Sequence, residues 1–269
     1  MRFSLQFTTS PHEVEHRKAC EAGLTELGYT YHYARPRYGD KVACWGWRRG
    51  QKWRRLGFDV LVFERGYIGD RFAWTSLAWN GLNGRGHAPT IDDGGARFAA
   101  HHEPIRPWNP HGEYVLICGQ VPGDASLQGL DLNPWYQGKA DKYADQDLVF
   151  RPHPLGARQG AIQELKGAIT STRSLAEDLA GASLVVTYNS NTGVDALLAG
   201  KPVHCDNEGS MAWGVTPESR EQWAHRLAWR QWTLDEISSG YALRILCTPT
   251  PSVAEGAPGA AKMASNTNP

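Results

Sequence analysis

The chain has 269 residues in which 28 basic and 28 acidic side chains cancel, so no overall charge draws it to a polyanion, and its length suits two small α/β domains or one large one. Five cysteines, an odd number with no Cys-x-x-Cys pair, argue against a disulfide framework and against structural zinc. The opening MRFSLQFTTSP has too short an apolar run for a signal peptide, and no run approaches the roughly 18 residues of a membrane helix. A soluble protein of a reducing, cytoplasmic compartment with no membrane partner is expected.

In chain order, Phe3–Phe7 alternates as a strand and Pro11–Leu27 patterns as a helix. Gly28 is placed to stop that helix, and Tyr29–Ala34 reads as a strand, completing a β-α-β opening. Residues 35–57, RPRYGDKVACWGWRRGQKWRRLG, then set eight Arg or Lys against one Asp, interleaved with Tyr38, Trp45, Trp47 and Trp53. Cations between aromatic planes can follow phosphates and stack bases. Arg48, Arg49, Lys52, Trp53, Arg54 and Arg55 are therefore candidate DNA contacts. The alternative is a solvated β-hairpin whose tryptophans cover the domain beneath. Phe58–Phe63 reads as a buried strand. From Arg65 to about Pro110 the chain is rich in Gly, Asn, His, Asp and Trp with weak periodicity, and loops this long are usually functional.

The second half is more regular. Strands are expected at Tyr114–Cys118, Leu148–Arg151, Leu184–Tyr188 and Val203–Asp206. Helices are expected at Pro134–Ala144, Ala161–Ile169, Ser174–Ala180 and Thr192–Ala199. Near-continuous apolar strands alternating with helices indicate a doubly wound parallel sheet. Cys44, Cys118 and Cys205 fall in or beside strands and read as buried thiols. Pro217–Ser239 reads as one long, tryptophan-bearing helix, and the Ala/Pro/Gly/Ser/Thr-rich end from about Thr248 as a disordered tail. The fold class expected is α/β, with two Rossmann-like halves and a cleft between them.

In open α/β sheets ligands bind beyond the carboxyl ends of the strands. Here those ends lead into Gly119-Gln120-Val121-Pro122-Gly123-Asp124, into Pro152-His153-Pro154, into Asn189-Ser190-Asn191-Thr192-Gly193 and into Asn207-Glu208-Gly209-Ser210. All are small, polar or donor-bearing. The Asn-Ser-Asn-Thr-Gly turn is either a helix N-cap or a phosphate site, since a helix start offers free N–H donors to an anion.

FRPHP (150–154) together with NSNTGVDALLAGKPV (189–203) resembles GT-B-type glycosyltransferases, above all bacterial sialyltransferases and capsular Kdo transferases. The resemblance spans about residues 114–206. It implies that His153 and the Ser190, Asn191, Thr192 and Gly193 group hold the donor phosphate and that Asp195 meets the ribose; by their place at the strand ends, Gly119, Gln120 and Arg151 are expected in the same site. It divides the chain into an acceptor-side domain (1–113), a nucleotide-sugar-binding domain (114–215), a C-terminal helix packing back on the first domain (216–247) and the tail (248–269). Those families also carry a (D/E)-(D/E)-G motif that supplies the general base. VFERGYIGDR (62–71) matches it with Arg65 in place of the second acid, and IDDGG (91–95) matches the letters without a preceding strand. The stretch ERGYIGDRFAWTSLAWNGLNGRG also resembles a set of phage and prophage proteins.

The implied reaction is attack by an acceptor hydroxyl on the anomeric carbon of a UDP- or CMP-linked sugar. A carboxylate takes the proton and positive groups neutralise the leaving phosphate. Glu64, at the end of a buried strand where burial raises a carboxyl pKa, is one candidate base, with an ion pair to Arg65 or Arg71 as its structural alternative. Asp92 and Asp93 are the others, unless they are turn residues before Gly94-Gly95. Asp145-Gln146-Asp147 spells a metal-binding Asp-x-Asp, but it precedes a strand and so lies at the wrong end of the sheet. No metal and no cofactor beyond the nucleotide sugar are expected. The phage likeness and the basic segment make 5-hydroxymethylpyrimidine DNA the expected acceptor. A surface glycan or small molecule, a GT-B-fold epimerase and a DNA-binding phage protein are the alternatives.

Overall fold

The computed structural model describes residues 1–156 and 160–248. The stretch from 249 on, which includes nearly all of the expected disordered tail, lies outside the described residues. The chain runs through β1 (Arg2–Gln6), α1 (Pro11–Glu26), β2 (Thr30–His32), β3 (Lys41–Trp45), α2 (Trp47–Arg55), β4 (Val60–Arg65) and β5 (Thr75–Trp79), then α3 (Ala96–His101). It continues through β6 (Tyr114–Cys118), α4 (Asn133–Lys142), β7 (Leu148–Arg151), β8 (Ile169–Thr170), α5 (Leu175–Gly181), β9 (Ala182–Thr187), α6 (Thr192–Leu198) and β10 (Val203–Cys205). It closes with α7 (Arg220–Ala228), β11 (Gln231–Trp232), α8 (Leu234–Ser238) and α9 (Tyr241–Cys247).

These strands form two sheets, a mixed one ordered β11-β5-β4-β3-β1-β2 and an all-parallel one ordered β10-β9-β6-β7-β8. In the first, β1 to β4 are parallel, so β1, β3 and β4 end at the same edge, while β5 returns antiparallel to β4 and β11 antiparallel to β5. One face packs Phe3, Leu5, Leu61, Phe63 and Leu77 against residues of α1, α8 and α9 and against Trp232. The opposite face buries Val42, Cys44, Val60 and Val62 beneath Trp53 of α2. In the second sheet α4 covers one face around Tyr136 and Phe150, and α5 and α6 cover the other around Leu116 and Val185. A further apolar cluster joins Tyr67 and Ile68, from the loop after β4, to Val194 of α6 and Leu227 of α7.

Several segments differ from the sequence reading, each for a physical reason. The basic segment is neither a hairpin nor a free surface. Its Val42, Ala43 and Cys44 form a fully buried strand between β1 and β4, and Gly46, at φ 84°, turns the chain into α2. Within the expected 65–110 loop, Thr75–Trp79 is a sheet strand and Ala96–His101 a short helix. No helix forms at 161–169. Gly160 and Gly167 take the left-handed backbone conformation there, and Ile169–Thr170 pairs with β7 instead. The long helix at 217–239 is broken in two. Gln231 turns its side chain inward, accepting from the amides of Tyr67 (2.7 Å) and Ile68 (2.9 Å), and it pairs with β5 as a strand. Thr233 and Glu236 then form a capping box that starts α8 afresh. All five cysteines are free thiols, and Cys20, Cys44, Cys118 and Cys247 are buried.

The closing helices seat on α1 through Gly23, where an added Cβ would stand 2.0 Å from the Ile237 carbonyl oxygen. A side chain there must push α8 away, and overpacking of this kind costs about 1–3 kcal/mol. Gly23→Val should lower the denaturant midpoint accordingly. An unchanged midpoint would contradict the docking of α8 on α1.

Candidate active site

The second sheet fixes where a ligand can sit. From β6 the chain moves out through β7 and β8, then returns to β9 and β10 on the other side. The direction therefore reverses between β6 and β9, and a crevice opens beyond their carboxyl ends. A clasp closes the floor of that crevice. Gln120 donates to Asn189 Oδ1 (2.7 Å) and accepts from the Asn189 amide (2.9 Å), while the Gln120 amide donates to the Tyr136 hydroxyl (2.8 Å). Gln120 and Asn189 are both buried, so these bonds are structural. Beside them Gly119 lets two loops touch, since a Cβ there would lie 2.8 Å from the His153 amide nitrogen.

The five small polar residues after β9 divide their work. Asn189 belongs to the clasp, and Asn191 donates across to the Tyr67 carbonyl (2.9 Å). Gly193 is a packing residue whose added Cβ would stand 3.0 Å from Ala212 Cβ. The first amides of α6 are partly spent in the turn: Thr192 N–H donates to Ser190 Oγ, Gly193 N–H to the Ser190 carbonyl and Val194 N–H to the Asn191 carbonyl. The Ser190 and Thr192 hydroxyls are half-buried and 3.0 Å apart. His153 takes a hydrogen bond on Nδ1 from the Leu155 amide (3.1 Å). Burial holds its imidazole below the usual pKa. The Arg71 charge works in the same direction and the Asp124 charge against it.

Glu64 enters from the first sheet, at the carboxyl end of β4. Its Oε1 accepts from the Trp47 amide at the start of α2 (3.2 Å), and the next residue, Arg48, donates to the Gly123 carbonyl of the other half. The first turn of α2 therefore binds both Glu64 and the loop that carries Asp124. Burial pushes the Glu64 carboxyl up to about 7. The Asp124 charge adds to the rise, and the Trp47 amide and the Arg65 charge oppose it. No ion pair to Arg65 or Arg71 forms among the described residues. Arg71 instead pairs with Asp195 on α6. Burial raises the Asp195 carboxyl, and Arg71 restrains the rise.

The other candidates lie elsewhere or are already engaged. Asp92 accepts from the Gly94 amide (3.2 Å), and Asp93 from those of Gly95 (3.0 Å) and Arg97 (2.8 Å). Both are turn residues at the start of α3. Arg151 is held by the buried Asp178 (2.8 Å) and the Arg173 carbonyl. On α2, Trp53 is a core residue and Arg49 is tied to Glu13 (2.8 Å), the Gln6 carbonyl and the Trp45 carbonyl. Arg54 pairs with Asp59 (3.3 Å), and Lys52 lies over the Trp53 ring. Arg48 and Arg55 line a groove of about 390 Å³ with Gln51, Gly123 and Asp124. The sequence marks Arg71 only as a possible partner of Glu64 and Asp124 only as part of the loop after β6; the pairing of Arg71 with Asp195 and the effect of Asp124 on Glu64 appear only in the structure.

No protein-family profile and no curated protein sequence matches the chain. Among solved structures, the chain is similar to KpsC of Thermosulfurimonas dismutans described as a beta Kdo 2,7 transferase, with 15% identity and a TM-score of 0.58 over 91% of this chain and 100% of that one. It is also similar to the KpsC structure of the same organism described as a beta Kdo 2,4 transferase, with 18% identity and a TM-score of 0.50 over 88% of this chain and 89% of that one. At these identities the likeness is one of fold, a mixed α/β architecture with parallel sheets.

The raised Glu64 pKa has a consequence for stability. A carboxyl whose folded pKa lies above its ordinary 4.5 contributes fully below pH 4.5, and that contribution is lost as pH rises through about 7. Glu64→Gln, which keeps the shape without the charge, should therefore melt above the parent at about pH 8, and the two should converge below pH 4.5. Equal melting temperatures at both pH values would mean that the carboxyl is not perturbed.

Proposed function

We propose that this protein is a glycosyltransferase of the GT-B type, moving a sugar from a nucleotide-sugar donor to an acceptor hydroxyl. The first sheet would form the acceptor side and the second the donor side, with the crevice between them as the site. The observation that carries the reading is Glu64. It is a half-buried carboxyl whose pKa is pushed to about 7, fixed at a strand end, and it shares with His153 the neighbouring charge of Asp124. A base with a pKa near neutrality is what proton abstraction from a hydroxyl requires. His153, Ser190 and Thr192 would receive the leaving phosphate without a metal or cofactor. Arg71 would hold Asp195 and the hairpin loop in place.

For the acceptor we favour a saccharide or other hydroxyl compound over hydroxymethylated DNA. The segment that suggested DNA keeps Trp53 in the core and Arg49 on Glu13, so it offers neither the stacking ring nor the full row of cations. DNA binding that weakens in a Lys52→Ala, Arg55→Ala double variant would contradict this choice.

Incubation with UDP- and CMP-linked sugars, with and without acceptor, tests the reading. Glu64→Gln should abolish transfer while nucleotide binding persists, and parental activity should rise with pH through about 7 as the base ionises. Asp93→Asn should remain active, because its carboxylate only caps α3. His153→Ala should weaken donor binding by about 1.5–3 kcal/mol, the worth of a hydrogen bond to a charged group, and activity should survive EDTA. Full transfer by Glu64→Gln would refute the assignment of the base.

A further inference from the structure

Strands β3 and β4 end side by side at the carboxyl edge of the first sheet, and their last residues are Trp45 and Arg65. Successive strand residues point to opposite faces. Glu64 therefore leaves the edge toward α2 and Arg65 toward α1, one residue apart.

Arg65 lies between two aromatic rings. Its guanidinium carbon is 5.2 Å from the Trp45 ring centre and 4.5 Å from that of Phe72. Trp45 is itself held by edge contacts to His12 (5.2 Å) and His16 (4.5 Å), whereas Phe72, in the loop between β4 and β5, is 76% exposed. The neighbouring arginines are all engaged: Arg71 with Asp195, Arg49 with Glu13 and Arg48 with the Gly123 carbonyl. Arg65 alone in this group has no carboxylate and no hydrogen-bond acceptor among the described residues. None of its nitrogens is buried without a partner, so its donors reach solvent.

Stacking between rings fixes the guanidinium plane but satisfies none of its in-plane N–H donors. Such a group is pre-organised for a planar or tetrahedral oxyanion, which a guanidinium binds through paired N–H donors. A guanidinium serving only to cover Trp45 would not need an exposed second ring on its outer side.

We propose that Arg65, clamped by Trp45 and Phe72, binds a carboxylate or phosphate group carried by the acceptor, beside the hydroxyl presented to Glu64. The inference rests on reading the first sheet as the acceptor side. It makes Arg65 a specificity-determining residue and the acceptor an anionic sugar or sugar phosphate. The exposed face of Phe72 would lie against the sugar ring.

The test reads binding, not turnover, so its failure is distinct from a failure of the glycosyltransferase reading. Methyl glucoside, methyl glucuronide and glucose 6-phosphate are titrated against the full chain by saturation-transfer NMR. The parent should bind the glucuronide, the phosphate or both at least about tenfold more tightly than the neutral glucoside, as a charge-assisted hydrogen bond implies. A preference for only one anion identifies the oxyanion as carboxylate or phosphate. Arg65→Met should abolish the preference and Arg65→Lys should retain part of it. Phe72→Ala, at an exposed position that the fold does not need, should reduce it while leaving the melting temperature unchanged. Equal affinity for neutral and anionic sugars in the parent, or a preference that survives Arg65→Met, would overturn the inference.

Discussion

The loop between β4 and β5 lies along α6, and the site depends on that contact. Tyr67 offers its carbonyl to Asn191 at the start of the helix, Arg71 pairs with Asp195 one turn on, and Tyr67 and Ile68 pack with Val194. Gln231 anchors the same loop from behind through the amides of Tyr67 and Ile68. Because the loop continues directly from Glu64 and Arg65, a residue at the edge of one sheet is registered against the hydroxyls at the edge of the other. Without this contact Glu64 would be an isolated strand-end carboxylate.

The chemistry follows from burial. Taking a carboxyl out of water disfavours its charged form, and a second carboxylate nearby disfavours it further. Glu64 experiences both effects, and its one backbone donor, from Trp47, does not cancel them. Asp93 shows the opposite balance. Burial raises its pKa as well, but the amides of Arg97 and Gly95 outweigh that and hold it below the ordinary value. Two acids that look equivalent as letters are therefore separated by their surroundings, one carboxyl raised to about 7 and the other locked as a cap.

The second half was largely legible because its central strands β6 and β7 are buried on both faces. Tyr114–Cys118 and Leu148–Arg151 appear in the structure as the sequence reads them, and Gly119, His153, Ser190 and Thr192 fall at the sheet edge as expected. The first half was harder to read. Strand β3 buries only Val42, Ala43 and Cys44, too short a run to rise above the cations around it. On α2, an i, i+4 spacing turns Arg49 and Trp53 inward together, whereas Arg48, Lys52 and Arg55 share an exposed stripe. Composition counts these residues alike, and only the helical period separates them. The Thr-x-x-Glu letters at 233–236 mark the capping box that divides the expected 217–239 helix. The pairing of Arg71 with Asp195 joins residues far apart in sequence, and no local pattern signals it.

The central claim is that Glu64 and the crevice at β6 and β9 form one site. Carbon-13 labelling of glutamate side chains, with Glu64→Gln used to assign the signal, allows the Glu64 carboxyl to be titrated directly by NMR with and without CMP or UDP. The account predicts a midpoint near 7 in the free protein, moving upward when nucleotide phosphate occupies the crevice, since a nearby negative charge disfavours the carboxylate. A midpoint near the ordinary 4.5, indifferent to either nucleotide, would contradict it.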